Sequence, residues 1–188
     1  DPMYTRFDRR TLYVTHDVTE NLTNGENVVG IMLGNGWYNH QSTAVWLFDK
    51  APWRSRPKFC LDLRIQYTDG SMEIVRSNDQ WKTALSPIIF NSIYTAEHYD
   101  ARLEQPGWNQ AGFDDGQWKE IFRTNAPSHL IVGQAIQPIR NVEEIHAVEM
   151  IRQDERTWLY NFGRNLAGVT RIRVSGPAGT TLRLKHAE

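Results

Sequence analysis

The chain has 188 residues, 40% hydrophobic and 23% charged, the balance of a globular protein with one ordinary domain and part of another. Its formal net charge of −1 provides no field to draw nucleic acid or an anionic membrane, and no apolar run approaches the roughly 20 residues that span a bilayer. The opening Asp1-Pro2-Met3-Tyr4 lacks the basic and apolar regions of a secretory leader.

Along the chain the dominant period is two, the mark of strands with one buried face. The sequence predicts strands over Leu12 to Val18 and Val28 to Leu33, separated by the turn signal Asn24-Gly25. The longest irregular stretch follows, from Asn39 to Pro57, and holds Trp46, Phe48, Asp49 and Trp53. Phe59, Leu61, Leu63, Ile65 and Tyr67 then alternate with Cys60, Asp62, Arg64 and Gln66. Asp69-Gly70 supplies a tight turn, and Met72 to Val75 returns as the partner strand. Cys60, the sole cysteine, cannot form an internal disulfide and is expected to be a packed core thiol.

Helical period is absent beyond one turn near Asp114 to Trp118. Residues 125 to 140 are loose and proline-marked, which places a boundary there. The expected domains are 1–130, and 131–188 as a linker leading into the first strands of another sandwich. In that tail Val169 to Val174 and Thr181 to Leu184 bracket Ser175-Gly176-Pro177-Ala178-Gly179 as a further hairpin. The expected class is all-β, a jelly-roll β-sandwich with an extra C-terminal hairpin and a core of its own.

Seven Trp, seven Tyr and seven Phe exceed what a plain core needs, and flat rings pack well on the C–H face of a pyranose. Trp37 and Tyr38 follow Gly34-Asn35-Gly36, a backbone able to turn sharply and carry rings to a surface, although plugging one end of the core is the plainer role for Trp37. The loop with Trp46, Phe48 and Trp53 is a second candidate platform.

Glycoside hydrolysis needs two facing carboxyl groups. Asp114 with Asp115 and Glu143 with Glu144 are expected to be structural or solvated instead, because strand neighbours point to opposite faces and turn aspartates bond nearby N–H groups. If strand spacing runs through Arg102, Asp100 and Arg102 share a face with His98, and Glu97 lies opposite with Tyr99. The Asp100–Arg102 pair then either fixes the fold or anchors sugar hydroxyls. Asn35, Asp49 and Asn91 could give oxygens to a calcium ion, without any ordered acidic loop. The six histidines show no zinc spacing, and there is no phosphate-cradling glycine loop.

Several blocks together resemble the bacterial α-L-rhamnosidases of glycoside hydrolase family 78. Thr11-Leu12-Tyr13-Val14-Thr15-His16-Asp17-Val18-Thr19, Gly25-Glu26-Asn27 and Leu33-Gly34-Asn35-Gly36-Trp37-Tyr38 are similar to the opening of the family's N-terminal domain. Ile93-Tyr94-Thr95-Ala96-Glu97-His98-Tyr99-Asp100-Ala101-Arg102 resembles its second hallmark, and Gly112-Phe113-Asp114-Asp115 with Trp118 its third. Tyr160-Asn161-Phe162-Gly163-Arg164-Asn165-Leu166-Ala167-Gly168 and His186-Ala187-Glu188 resemble the start of the following concanavalin-like sandwich.

The resemblance implies a galactose-binding-like sandwich, truncated at its start, in an accessory fragment of a periplasmic or secreted enzyme. The catalytic carboxylates would lie in a later (α/α)₆ barrel. Some relatives bind rhamnose through calcium in this first sandwich. The implied partners are a rhamnose-containing glycan and the rest of the parent enzyme, with no nucleic acid and no membrane. Trp37, Tyr38, Asn91, Tyr94, Glu97, Asp100 and Arg102 are the implied sugar-binding residues, and Asn35, Asp49 and Asn91 the implied calcium ligands. The chain departs from the family pattern where Asn35 replaces an aspartate, Thr95-Ala96 an Asp-Gly, and Ser86 a glycine before Pro87. Two other roles compete with recognition: a domain that only braces the barrel, and a self-contained glycosidase using Glu97 and Asp100.

Overall fold

The computed structural model describes residues 2–43 and 46–187. Two compact units divide the chain, Asp1–Ile139 and Arg140–Glu188. Among the described residues every ladder is β, no α-helix occurs, and short 3-10 turns supply the only helical backbone. The class is all-β.

Among its described residues the first unit contains four two-stranded ladders. Strand β1 (Thr11–Tyr13) pairs in parallel with β8 (Ile131–Gly133), and Tyr13 sits opposite Gly133. Strands β2 (Asp62–Gln66) and β3 (Met72–Arg76) form the expected hairpin. At its turn Gly70 takes a φ of +85°, and the Asp69 carboxylate accepts from the Ser71 N–H at 2.8 Å and hydroxyl at 2.6 Å. That is an Asx-turn, built from the short acceptor side chain two residues before its donor. Those bonds hold the Asp69 carboxyl below its ordinary range, the hydroxyl contributing most. Strands β4 (Lys82–Thr83) and β7 (Lys119–Glu120) pair antiparallel, as do β5 (Ile88–Ser92) and β6 (Ala96–Tyr99). In the second unit β9 (Glu149–Arg152) pairs with β10 (Trp158–Asn161).

Several expectations need correction. Val28 to Leu33 forms no ladder among the described residues, and beyond Tyr13 the first predicted strand runs unpaired. The stretch read as loose carries β8, whose Ile131 and Val132 are β-branched residues suited to a strand. The tail's predicted hairpin is likewise unpaired: its loop closes with Thr180 N–H to Pro177 O at 3.2 Å, and Thr170 Oγ1 meets His186 Nε2 at 2.8 Å. Cys60 is exposed, because the same alternation that turns Phe59 and Leu61 inward turns it outward.

Burial is shallower than expected. No hydrophobic side chain among the described residues is fully buried. The accessible surface is 16691 Å², whereas two separate compact units of these lengths would expose only about 11,000 Å². A two-stranded ladder has no interior strand, so both of its strands are edges with unpaired N–H and C=O groups.

Unpaired segments can still be tightly placed. A Cβ built on Gly30 would lie 2.4 Å from Trp108 Cζ3 and 2.9 Å from its Cη2. Gly30→Ala is therefore expected to destabilise the first unit by about 1–3 kcal/mol. Thermal unfolding should show that penalty shrink in a Trp108→Leu background, and an undiminished penalty would place its cause elsewhere.

Candidate functional site

The Leu33 to His40 segment is anchored to β5 by amide groups. Asn35 donates its backbone N–H to Asn91 Oδ1 at 2.8 Å and its side-chain Nδ2–H to the Asn91 carbonyl at 3.0 Å. Asn39 Nδ2 donates to Asn35 Oδ1 at 2.7 Å, and the Asn39 N–H closes the turn onto Asn35 O at 2.9 Å. Gly36, with φ at +50°, supplies the left-handed step inside that turn.

This turn presents Trp37. Its indole lies 5.3 Å from the Tyr4 ring, 5.3 Å from His40 in a stacked arrangement, 5.0 Å from Phe48 and 5.6 Å from Tyr94. Tyr94 comes from the β5–β6 hairpin tip, Tyr4 from the chain start and Phe48 from the long loop. The two tyrosines are 54% and 51% exposed, so rings at the rim of the cluster face solvent while His40 beneath is fully buried.

Tyr38 points elsewhere. It packs edge-on against Phe7 at 5.2 Å, with the Lys58 ammonium 5.8 Å above its ring. Trp53 bridges the two groups, 6.2 Å from Phe7 and 6.0 Å from Phe48. Around this cluster lie buried polar atoms without a partner among the described residues: both His40 ring nitrogens, Asp49 Oδ1 and Trp53 Nε1. Trp46 and Leu47, at the loop's turn, take φ of 48° and 54°, which is unusual for residues other than glycine.

The carboxylates separate into employed and free. Asp100 accepts from Arg102 at 2.8 Å and 2.6 Å from the guanidinium and at 3.1 Å from the backbone N–H, capping the 3-10 turn Ala101–Leu103. The predicted alternation through Arg102 fails because the chain leaves the strand after Tyr99 and curls the guanidinium back onto Asp100. Asp114 accepts from Gly116 N–H, Asp115 pairs with Lys82 at 2.6 Å, Glu143 with Arg164 at 2.5 Å and Glu144 with Arg171 at 3.2 Å. Glu97 is exposed, and its carboxylate has no hydrogen bond or ion pair among the described residues. It stands directly across β5–β6 from Asn91, which places both on one face.

The calcium expectation can be tested on this donor set. Three oxygens that would face an ion (Asn91 Oδ1, Asn91 O and Asn35 Oδ1) each already receive an N–H. Among the described residues the side-chain hydrogen bonds of Asn35 and Asn91 run to each other and to Asn39, none to Asp49, and there is no group of three or more acidic, histidine or cysteine metal ligands. Calcium asks for six to eight oxygens, carboxylates among them. Asn35, Asp49 and Asn91 do not fit it as they stand.

Of the residues singled out in the sequence, the structure brings Trp37 against Tyr94 and sets Asn91 opposite Glu97, and it adds Tyr4, His40 and Asn39, which the sequence did not single out. His40 and Asn39 lie within three residues of Trp37, close enough to join it in one tight turn; nothing in the spacing marks Tyr4.

Residues 1–143 match the family profile described as the alpha-L-rhamnosidase N-terminal domain, and residues 151–188 the bacterial alpha-L-rhamnosidase concanavalin-like domain. An α-L-rhamnosidase of Streptomyces avermitilis is 35% identical over 188 residues, covering 100% of this chain and 18% of that protein. One from Formosa agariphila is 31% identical over 192 residues, covering 100% and 20%. The chain thus spans about a fifth of the curated relatives it matches. Among solved structures, the α-L-rhamnosidase from Dictyoglumus thermophilum superposes with a TM-score of 0.74 at 34% identity, over 88% of this chain and 18% of that one. The Streptomyces avermitilis α-L-rhamnosidase complexed with L-rhamnose gives 0.73 at 27%, over 88% and 16%.

The Arg102 guanidinium beside Asp100 holds its carboxyl at about 2, against an ordinary 3.8. A depressed carboxylate stabilises the folded turn above the ordinary value, and that contribution is lost as pH falls from 3.8 through about 2. In an NMR titration the Asp100 midpoint should therefore move up towards 3.8 in Arg102→Met, and an unmoved midpoint would remove Arg102 as the main cause.

Proposed function

The chain belongs to the α-L-rhamnosidase N-terminal domain family, and on that premise we propose that it serves the parent glycoside hydrolase as a non-catalytic module that recognises rhamnose-containing glycans. The observation that carries this reading is the Trp37 cluster: an indole fixed by the Asn35–Asn91 junction and flanked by the half-exposed rings of Tyr4 and Tyr94. The methyl-bearing face of a 6-deoxysugar is apolar, and such faces pack on aromatic rings. Glu97, free and on the same face as Asn91, supplies charge-assisted acceptors for hydroxyls at the edge of that platform. Asp100 and Arg102 serve as the brace of the turn that follows, and Tyr38 packs inward against Phe7. The relative solved with L-rhamnose adds support from outside the chain.

Hydrolysis by the chain itself is disfavoured by the same geometry. Both Asp100 oxygens are held by Arg102, which leaves Glu97 without the facing carboxyl group that either stereochemical course needs.

One observation favours a second role, bracing the rest of the parent enzyme. In the second unit Trp158, Leu159, Tyr160 and Leu166 are all about half exposed, a run of large apolar side chains that water alone would not select.

Calorimetric titration with L-rhamnose decides between them. Binding is expected in the millimolar range, because a shallow site buries little area and must order loops. Trp37→Ala should weaken it about tenfold or more, as loss of one ring contact of about 1.4 kcal/mol does. Glu97→Gln should weaken it less. Heat-silent titration of the unaltered chain would leave bracing as the role, and turnover of a chromogenic rhamnoside would reinstate the glycosidase.

A further inference from the structure

The Asn35–Asn91 junction joins segments 56 residues apart, and it is built from amide groups alone. Each of its three carbonyl-type oxygens is answered by an amide hydrogen: Asn91 Oδ1 by the Asn35 backbone, Asn91 O by Asn35 Nδ2 and Asn35 Oδ1 by Asn39 Nδ2. We propose that this is a cation-independent clasp, in which Asn35 Nδ2–H provides the positive end that a metal ion would provide if position 35 carried a carboxylate.

The difference between the two side chains is electrostatic. Asn35 and aspartate have the same shape and differ at one atom. In this geometry that atom faces the Asn91 carbonyl at 3.0 Å. With an N–H there, the contact is a hydrogen bond. With a carboxylate oxygen there, two acceptors would confront each other in a half-buried setting, and a cation between them would relieve the repulsion. Asn39 Nδ2–H would remain as the sole donor to the side chain, satisfying one oxygen and leaving the other. The inference rests on these bonds alone and is independent of whether the Trp37 cluster binds sugar.

Thermal unfolding of the full chain in millimolar calcium chloride and in chelator tests it. The unaltered chain should give the same midpoint in both. Asn35→Asp should fall by about 3 °C or more in chelator, the scale of one broken part-buried hydrogen bond. A midpoint of the unaltered chain that rises with calcium would overturn the proposal, and so would Asn35→Asp matching it in chelator. Amide exchange gives a second reading that needs no variant. The Asn35 N–H should be equally protected in chelator and in calcium, and protection that appears only with calcium would equally overturn the clasp.

Discussion

Two side-chain amides decide where the aromatic rings of this protein can go. Asn35 and Asn91 exchange a backbone-to-side-chain and a side-chain-to-backbone hydrogen bond, so the Leu33 to His40 turn cannot slide along β5. Trp37 rides on that turn, and Tyr94 sits only three residues beyond Asn91, at the tip of the same hairpin. The 5.6 Å approach of the two rings is therefore a consequence of the amide tie. Once Trp37 is placed, His40 stacks beneath it, Phe48 closes the side and Tyr4 the rim. A polar junction thus organises an apolar cluster, where an ordinary domain would let its core do so.

That inversion matters because no hydrophobic side chain among the described residues is fully buried to share the task. Among the described residues five narrow two-stranded ladders distribute the backbone pairing. Local devices carry much of the order: the Asp69 Asx-turn, the Asp100 cap on Arg102, the Gln105 side chain accepting from Trp118 Nε1 at 2.7 Å. Such devices fix turns and loops well but contribute little to burial. The open apolar faces and the bracing role proposed for the second unit are two sides of that one shortage.

Much of the pattern was legible from residues alone. Period two between Phe59 and Tyr67 and the turn residues Asp69-Gly70 gave the β2–β3 hairpin, since both signals are local. The β9–β10 hairpin escaped notice because its turn, Asp154-Glu155-Arg156, carries neither glycine nor proline. The parallel pairing of β1 with β8 escaped it too, since partners 120 positions apart leave no periodic trace. At the site, family hallmarks pointed to Trp37, Tyr94 and Glu97 and the short spacing to His40 was there to read, whereas Tyr4 became visible only when the chain was folded. Alternation misled at Arg102, where a side chain that can bond its own turn overrode the strand.

The account stands on the Trp37 cluster being a ligand surface fixed by the asparagine junction. Titrating L-rhamnose into the ¹⁵N-labelled chain and following side-chain resonances tests it most directly. The Trp37 indole N–H and the Asn91 and Glu97 backbone amides should shift together and saturate, while the Trp108 and Trp118 indoles stay still. Shifts confined to the second unit, or none at saturating sugar, would contradict the account.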